Sequence, residues 1–331
     1  MLQLLRKIAF PFSLVYGLVV HLRNFLYDTG VFKSHTCKTP TLCVGNLSVG
    51  GTGKTPMIEF LVRMFEGHTI AVLSRGYKRQ SKGFLWADDN SSVLDLGDEP
   101  YQLHQKFSEI TVAVDADRRN GITQLENKVK PELILLDDAF QHRRVKPNFS
   151  ILLTRYGNLY VDDWYLPTGD LRDSKREAKR ADCIIVTKCP KNLSQSEKNR
   201  IQHKLKPLPH QKVLFATLEY STILKGEVGT LSLSDVRKKK VTLVTGIAQP
   251  EPLVQYLQSE GVEFEHYKFG DHHHFSESDI QKFRDHALIL TTEKDYVRLQ
   301  GRVKNLFYVE VAHSFGTEDH LFLETTLKSL I

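Results

Sequence analysis

A buried parallel sheet with helices on both faces, preceded by an amphipathic helix and followed by a smaller α/β unit, is the architecture predicted for these 331 residues. Three observations predict it. Short runs rich in Val, Ile and Leu recur from Thr41 without polar alternation, as strands covered on both faces require. The segments between most of them are long enough for helical crossovers. After a basic run at Arg237–Lys240 a fresh apolar strand begins, and the alternation starts again.

The elements follow in order. From Ile8 to Val20 the chain carries no charge, behind Arg6 and Lys7 and ahead of His21 and Arg23. That run is shorter than the roughly 20 apolar residues of an unaided membrane span, and no small-residue cleavage site follows it. Leu5, Ile8, Phe12, Val15, Val19, Leu22 and Leu26 recur at steps of three and four, which places them on one helical stripe. Phe10, Leu14, Leu18, Val20 and Phe25 widen it. Pro11 either kinks this helix or opens a second one. A stripe this broad predicts one of two placements, docked on the core or lying in the plane of a membrane surface.

Strands of the first unit are predicted at 41–45, 69–74, 111–115, 133–137, 151–154, 183–187 and 213–217. The second unit has strands at 241–245, 262–266, 288–292 and 306–311, a helix from Pro252 and a last helix over 318–330. The domain plan is a membrane-associating helix at 1–30, a larger unit at 31–220, a linker at 221–238 and a smaller unit at 239–331. A composition of 41% hydrophobic and 25% charged residues excludes a disordered chain. Cys37, Cys43, Cys183 and Cys189 form no Cys-x-x-Cys pair, so a reducing compartment is expected in place of a disulfide framework. The net charge of +6 suits an anionic partner. Arg237–Lys240 reads as a solvated charge run, and no nucleic-acid or protein partner is evident.

The first strand runs into Asn46-Leu47-Ser48-Val49-Gly50-Gly51-Thr52-Gly53-Lys54-Thr55, and a helix is predicted from Pro56. Strand, glycine loop, Lys, Thr and helix make up a P-loop of Walker A type. Its backbone N–H groups converge on phosphate oxygens at a helix N-terminus. Ser48 to Thr55 are thus the candidate nucleotide-binding residues. Lys54 neutralises the β- and γ-phosphates there and Thr55 ligates Mg²⁺, which implies ATP and Mg²⁺. Ser48 stands where the usual first glycine would be.

Ligands of open parallel sheets bind beyond the carboxyl ends of the strands. Here those ends carry Ser74-Arg75-Gly76-Tyr77, Asp115-Ala116-Asp117-Arg118-Arg119, Asp137-Asp138, Thr154-Arg155 and Thr187-Lys188. Five charged ends beside a phosphate loop point to phosphoryl transfer. Asp137 and Asp138 end an apolar strand in the Walker B manner and are candidate Mg²⁺ ligands. One of the two can equally cap a following helix, since adjacent residues of a strand face opposite ways. Thr187-Lys188-Cys189-Pro190 has Pro where a guanine-reading motif has Asp, which argues against GTP. Gly97-Asp98-Glu99-Pro100 is an acidic turn. In Asp271-His272-His273-His274, adjacent rings seldom face one ion, so a His–Asp pair serving as general base is the better use.

Together these residues resemble the tetraacyldisaccharide 4′-kinase (lipid A 4′-kinase) family. The resemblance rests on the phosphate loop, Ser74–Tyr77, Gly97–Pro100, Asp115–Arg119, Asp137–His142, Leu166–Arg172, Asp271-His272 and Thr292-Glu293-Lys294-Asp295, in this order. It implies transfer of the ATP γ-phosphate to the 4′-hydroxyl of tetraacyldisaccharide 1-phosphate, giving lipid IVA in lipid A biosynthesis. It further implies two α/β domains joined by a short β linker, with the lipid disaccharide in the cleft. Asp98 becomes the base, assisted by His272, with Lys54 and Arg118 also catalytic. Glu99 joins Asp137 and Asp138 near Mg²⁺. Arg75, Gln141, His142, Arg172 and Asp173 become substrate residues. The N-terminal helix rests on membrane lipids at the cytoplasmic face of the bacterial inner membrane, peripheral or monotopic. Residues 166–173 read LPTGDLRD where the family pattern has LPAGPLRE, so Asp170 replaces a Pro and Asp173 a Glu.

Two rivals remain on sequence grounds. One is a P-loop ATPase or ligase of the MinD or dethiobiotin synthetase type, which lacks the elements around His272 and Glu293. The other is a nucleotide switch recruited to a membrane, which does not need Asp98 or His272 for its activity.

Overall fold

A computed structural model describes Arg6 and residues 8–331. Leu5, the first residue of the predicted stripe, and Lys7 lie outside the described residues. Helix α1, Phe10–Asp28, has Pro11 in its first turn, where a missing N–H breaks no helical bond. Pro11 therefore opens this helix and does not kink it. The apolar stripe faces away from the protein: Ile8, Phe12, Val15, Leu18, Val19, Leu22 and Phe25 are all exposed, Phe12 by 71%. Ser13, Gly17, Val20 and Asn24 form the buried face. Of the two placements expected for the stripe, docking on the core is the one this exposure argues against. Polar contacts hold the helix instead, which leaves its hydrophobic side free. Among the described residues no helix is long and apolar enough to cross a membrane.

Strand β1 (Thr41–Asn46), helix α2 (Lys54–Met64) and strand β2 (Ile70–Ser74) open the first unit. There follow β3 (Leu85–Trp86), α3 (Val93–Leu96), α4 (Asp98–Lys106), β4 (Thr111–Val114), α5 (Arg118–Lys128), β5 (Leu133–Asp137), β6 (Phe149–Arg155), β7 (Cys183–Thr187) and α6 (Gln195–Leu205). Strand β8, Lys212–Gly226, leads to β9 (Gly229–Ser232), α7 (Leu233–Val236), β10 (Val241–Thr245), α8 (Glu251–Ser259) and β11 (Phe264–Lys268). The chain ends in α9 (Glu277–Gln281), β12 (Ile289–Thr292), α10 (Glu293–Leu299), β13 (Leu306–Phe315) and α11 (Thr317–Lys328).

The strands run in the order β11-β10-β12-β13-β8-β7-β6-β1-β5-β2-β4-β3, with β9 beside β8. Strands β2, β4, β5, β1, β6, β7 and the start of β8 pair in parallel. So do β11, β10, β12 and β13. The antiparallel β8–β13 ribbon joins the two sets. Alternate residues of β1 enter different cores: Leu42 and Val44 pack on one face, Cys43 on the other, as the pleat dictates. All four cysteines are free thiols.

Several bounds differ from expectation. The phosphate-loop helix begins at Lys54, two residues before Pro56. Strand β8 runs on to Gly226 and β13 to Phe315, because their outer halves pair as an antiparallel, only partly buried ribbon in which polar and apolar residues mix. The two-residue β3 and the four-residue β9 are too short to carry a periodic signal.

Candidate active site

The site grows from the end of β1. Gly53 has φ +86°, a conformation that L residues avoid, and a Cβ there would meet His313 Nε2 at 2.9 Å. His313, buried on β13, hydrogen-bonds through Nε2 to the Gly53 carbonyl oxygen at 2.9 Å. Burial pushes this imidazole down to about 4, so at neutral pH it is an uncharged donor. The rest of the loop is tied just as tightly. Thr52 Oγ1 accepts from Asn46 Nδ2 at 2.8 Å, and Thr187 donates its hydroxyl to the Thr52 carbonyl at 2.8 Å. Ser48 donates to Asp163 at 2.8 Å, and the Asp170 carbonyl accepts from Val49 N at 2.7 Å. A serine at this position thus gains a partner that glycine would lack. Val49, Gly50 and Gly51 stay exposed. Lys188 leans over Gly51 and reaches Gln249 at 3.4 Å; burial brings its amine down to about 8.

Lys54 lies 3.7 Å from Asp138, which sits at φ +49° just after β5. Arg172 grips both Asp138 oxygens and also reaches the Asn46 side chain. Burial favours the neutral acid at Asp138, but Lys54 and Arg172 outweigh it and hold the carboxyl well below the usual range. Asp137 goes the other way. It is buried, faces Glu99 and Asp138, and is pushed up to about 7; Ser74 donates to it at 3.0 Å. Thr55 stands half-buried in the first turn of α2. Arg118, buried at the start of α5, donates to the backbone oxygens of Asp115 at 2.7 Å and of Asp137 at 3.3 Å, so it braces β4 against β5.

Asp98 is the first residue of α4, where its charge meets the positive end of the helix. Gly97 before it has φ +88°, and a Cβ there would lie 2.7 Å from the Tyr77 carbonyl. From the second unit His272 Nδ1 comes to 2.8 Å from Asp98, and Arg298 reaches Asp98 at 3.0 and 2.5 Å. Burial raises the Asp98 carboxyl, but hydrogen bonds from His272 and Arg298 hold it well below the ordinary value. Lys294 sits 2.9 Å from the far nitrogen of His272 and 3.3 Å from Glu99. An ammonium has only protons to give, so the ring proton belongs on Nδ1, facing Asp98. His272 has φ +55°. His273 turns to Asp279 at 3.0 Å, so the three-histidine run diverges. Among the described residues no group of three or more His, Cys, Asp or Glu is placed to hold a metal ion.

The remaining candidates surround this centre. Gln141 donates to the Asn46 carbonyl at 2.7 Å. His142 Nε2 is buried without a hydrogen-bond partner, and burial, with Arg118 next in effect, brings the ring down to about 4. Asp173 is buried; Asn24 of α1 donates to one oxygen at 2.7 Å, and the other oxygen has no partner. Arg75 is exposed. An open cavity of about 210 Å³ along the loop is lined by Gly50, Gly51, Arg155, Asn158, Ala248 and Gln249, drawn from both units.

A family model for tetraacyldisaccharide-1-P 4′-kinase (LpxK) matches residues 5–330. The chain belongs to that family. As a member it is a kinase of lipid A biosynthesis. The tetraacyldisaccharide 4′-kinase of Flavobacterium johnsoniae is 49% identical over 95% of this chain and 94% of its own length. That of Flavobacterium psychrophilum is 46% identical over 97% and 96%. The crystal structure of LpxK from Aquifex aeolicus in complex with ATP superposes with a TM-score of 0.81 at 28% identity, covering 98% of this chain and 99% of that one. On this tetraacyldisaccharide 4′-kinase scaffold three groups escaped sequence reasoning: Arg298, His313 and Asp163. Arg298 falls at i+3 and i+4 from Asp295 and Lys294, a spacing that places all three on one helical face without naming a partner.

Proposed function

We propose that the enzyme transfers the γ-phosphate of ATP to the 4′-hydroxyl of tetraacyldisaccharide 1-phosphate, forming lipid IVA at the cytoplasmic face of a bacterial inner membrane. The observation that carries this reading is the Asp98–His272 pair, contributed by two units and linked through Lys294 and Glu99 to the carboxylates beside Lys54. The loop N–H groups and Lys54 hold the β- and γ-phosphates, with His313 keeping the Gly53 carbonyl turned away. Asp98, already ionised, takes the hydroxyl proton, and His272 orients it and shares the charge.

Mg²⁺ fits this donor set. Asp137 is pushed up to about 7 by burial and, after it, by Glu99 and Asp138, and a divalent cation relieves that repulsion. Mg²⁺ commonly takes one or two carboxylates together with substrate phosphates. Asp137, Glu99 and Thr55 are the residues to hold it, and it would offset charge on the transferring phosphoryl group. Asp138, with both oxygens on Arg172, serves to fix Lys54 and Arg172 in place. Arg118 fixes the β4 and β5 ends; Gln141 and Arg172 brace Asn46 and Asp138, Asp173 ties α1 to the site through Asn24, and Arg75 and His142 are left to meet the acceptor. The exposed side of α1 supports an in-plane seat on lipid, from which acyl chains reach the cleft. In this reading the chain divides at 1–30, 31–220, 221–238 and 239–331, with the antiparallel β8–β13 ribbon joining the two units.

Radiolabelled γ-phosphate, supplied with the lipid disaccharide or with a water-only blank, tests the function. Label is expected in the lipid, with little release in the blank. Release that ignores the lipid would favour a nucleotide switch or simple ATPase.

A further inference from the structure

Lys106 ends α4, about two turns beyond Asp98. Its ammonium lies 2.6 Å from Glu59 on α2, 2.5 Å from Glu293 on α10 and 2.8 Å from Glu310 on β13. Glu59 is 1% exposed, Glu293 7% and Lys106 10%. Three carboxylates therefore share one buried cation. At the margins Arg63 lies 3.7 Å from Glu59 and 3.9 Å from Glu310, Lys225 2.8 Å from Glu310, and Gln102 donates to Glu59 at 2.9 Å.

The three helices that meet here carry the chemistry. Helix α2 starts with Lys54 and Thr55, α4 with Asp98 and Glu99, and α10 bears Lys294 and Arg298, which touch His272 and Asp98. No other charged group on these helices contacts all three neighbours. A rigid helix transmits a shift at one end to the other, and the ion pairs are short and shielded from water. Removing the ammonium leaves like charges crowded in a low-dielectric site, so the helices must move apart or take up protons.

We propose that Lys106 is a positioning residue for phosphoryl transfer: its ion pairs to Glu59, Glu293 and Glu310 fix the phosphate-loop helix in register with the helices that hold Asp98 and His272. This rests on reading Asp98 as the base. The ionic partners of Lys106 are Glu59, Glu293 and Glu310, none of them a phosphate-loop residue, so its loss should lower turnover while nucleotide affinity stays. Glu293 shares the ammonium with Glu59 and Glu310 while burial and the nearby Glu59 raise its carboxyl, and a glutamine keeps its length and an oxygen acceptor toward Lys106.

The test uses the full chain with Lys106→Met, Lys106→Arg, Glu293→Gln, Glu293→Ala and Asp98→Asn, reading Tm, ATP Kd, kcat and KM. For Lys106→Met, kcat is expected to fall by about 10- to 100-fold, the scale of an ångström-sized misplacement, with ATP Kd within about twofold of wild type. Lys106→Arg should restore part of kcat. A folded Lys106→Met protein with unchanged kcat overturns the proposal, as does a loss confined to ATP Kd. Should Lys106→Met not fold, the Glu293 pair decides: glutamine near wild type and alanine markedly slower supports positioning, and equal kcat for both overturns it. Asp98→Asn separates the two claims. If it keeps wild-type kcat, the base assignment fails and the positioning role falls with it. If it is inactive while Lys106→Met is normal, only the positioning role fails.

Discussion

At the scale of single residues, environment separates groups of the same chemistry. Asp98 is held ionised by Arg298 and His272, and Asp137 is pushed up to about 7 by burial and its acidic neighbours. Replacing Asp98 with Asn or His272 with Ala is expected to lower kcat by about 10²- to 10⁴-fold, the usual contribution of a general base, while calorimetry still shows ATP binding. Lys54→Ala should instead weaken ATP binding. His313→Ala should weaken it by about fivefold, equivalent to the roughly 1 kcal/mol of a neutral hydrogen bond. Asp137 also predicts a pH effect. Its folded value lies above the ordinary carboxyl value of about 3.9, so the folded protein binds more protons between the two. Its contribution to nucleotide-free stability is full below about pH 4 and is lost as pH rises through about 7. Calorimetry from pH 4.5 to 7.5 should show a shallower decline of Tm for Asp137→Asn than for wild type, with Glu293 supplying the slope that remains. The phosphate loop and the Walker B carboxylates could be read from sequence because each is a contiguous pattern, a buried strand running straight into a glycine turn or a pair of acids. Arg298 and His313 could not, since they act on residues 200 and 260 positions away.

At the scale of elements, α1 presents its hydrophobic side to solvent and docks through polar contacts. Ser13 bonds Thr168 at 2.7 Å, Tyr16 donates to the Arg172 carbonyl at 3.0 Å, and Asn24 donates to Asp173. Gly17 lets the helix approach the Tyr165 ring, which a Cβ would meet at 2.9 Å. The three-four periodicity could be read from sequence. Which face met the protein could not, because the surface that receives α1 comes from residues 141–143 and 164–173, and nothing in a helical period identifies a distant polar partner. A Val15→Asp, Leu22→Asp variant should therefore lose binding to anionic vesicles in a flotation assay. Its folding stability should stay within about 0.5 kcal/mol per substitution, as at other exposed positions. A large fall in Tm would show that this face is buried in the folded protein. The same contacts place α1 one residue from the centre, since Arg172, whose carbonyl Tyr16 holds, grips Asp138.

At the scale of the whole molecule, two parallel sheets share one ribbon, and the loops at their carboxyl ends meet around Asp98. Most strands were predictable to within a few residues because buried parallel strands are apolar throughout. The length of β8 and β13 was not, because a partly buried ribbon of mixed polar and apolar residues looks like a turn-rich linker in sequence. In the proposed mechanism the phosphate loop and Asp98 belong to the first unit and His272 to the second, so transfer needs both units held together. The most direct measurement is single-turnover transfer from pre-bound ATP by wild type, Asp98→Asn, His272→Ala and the double variant. If the two residues act as one proton acceptor across the cleft, the double variant is no slower than the slower single one. Losses that multiply, or a single variant as fast as wild type, would contradict a shared base.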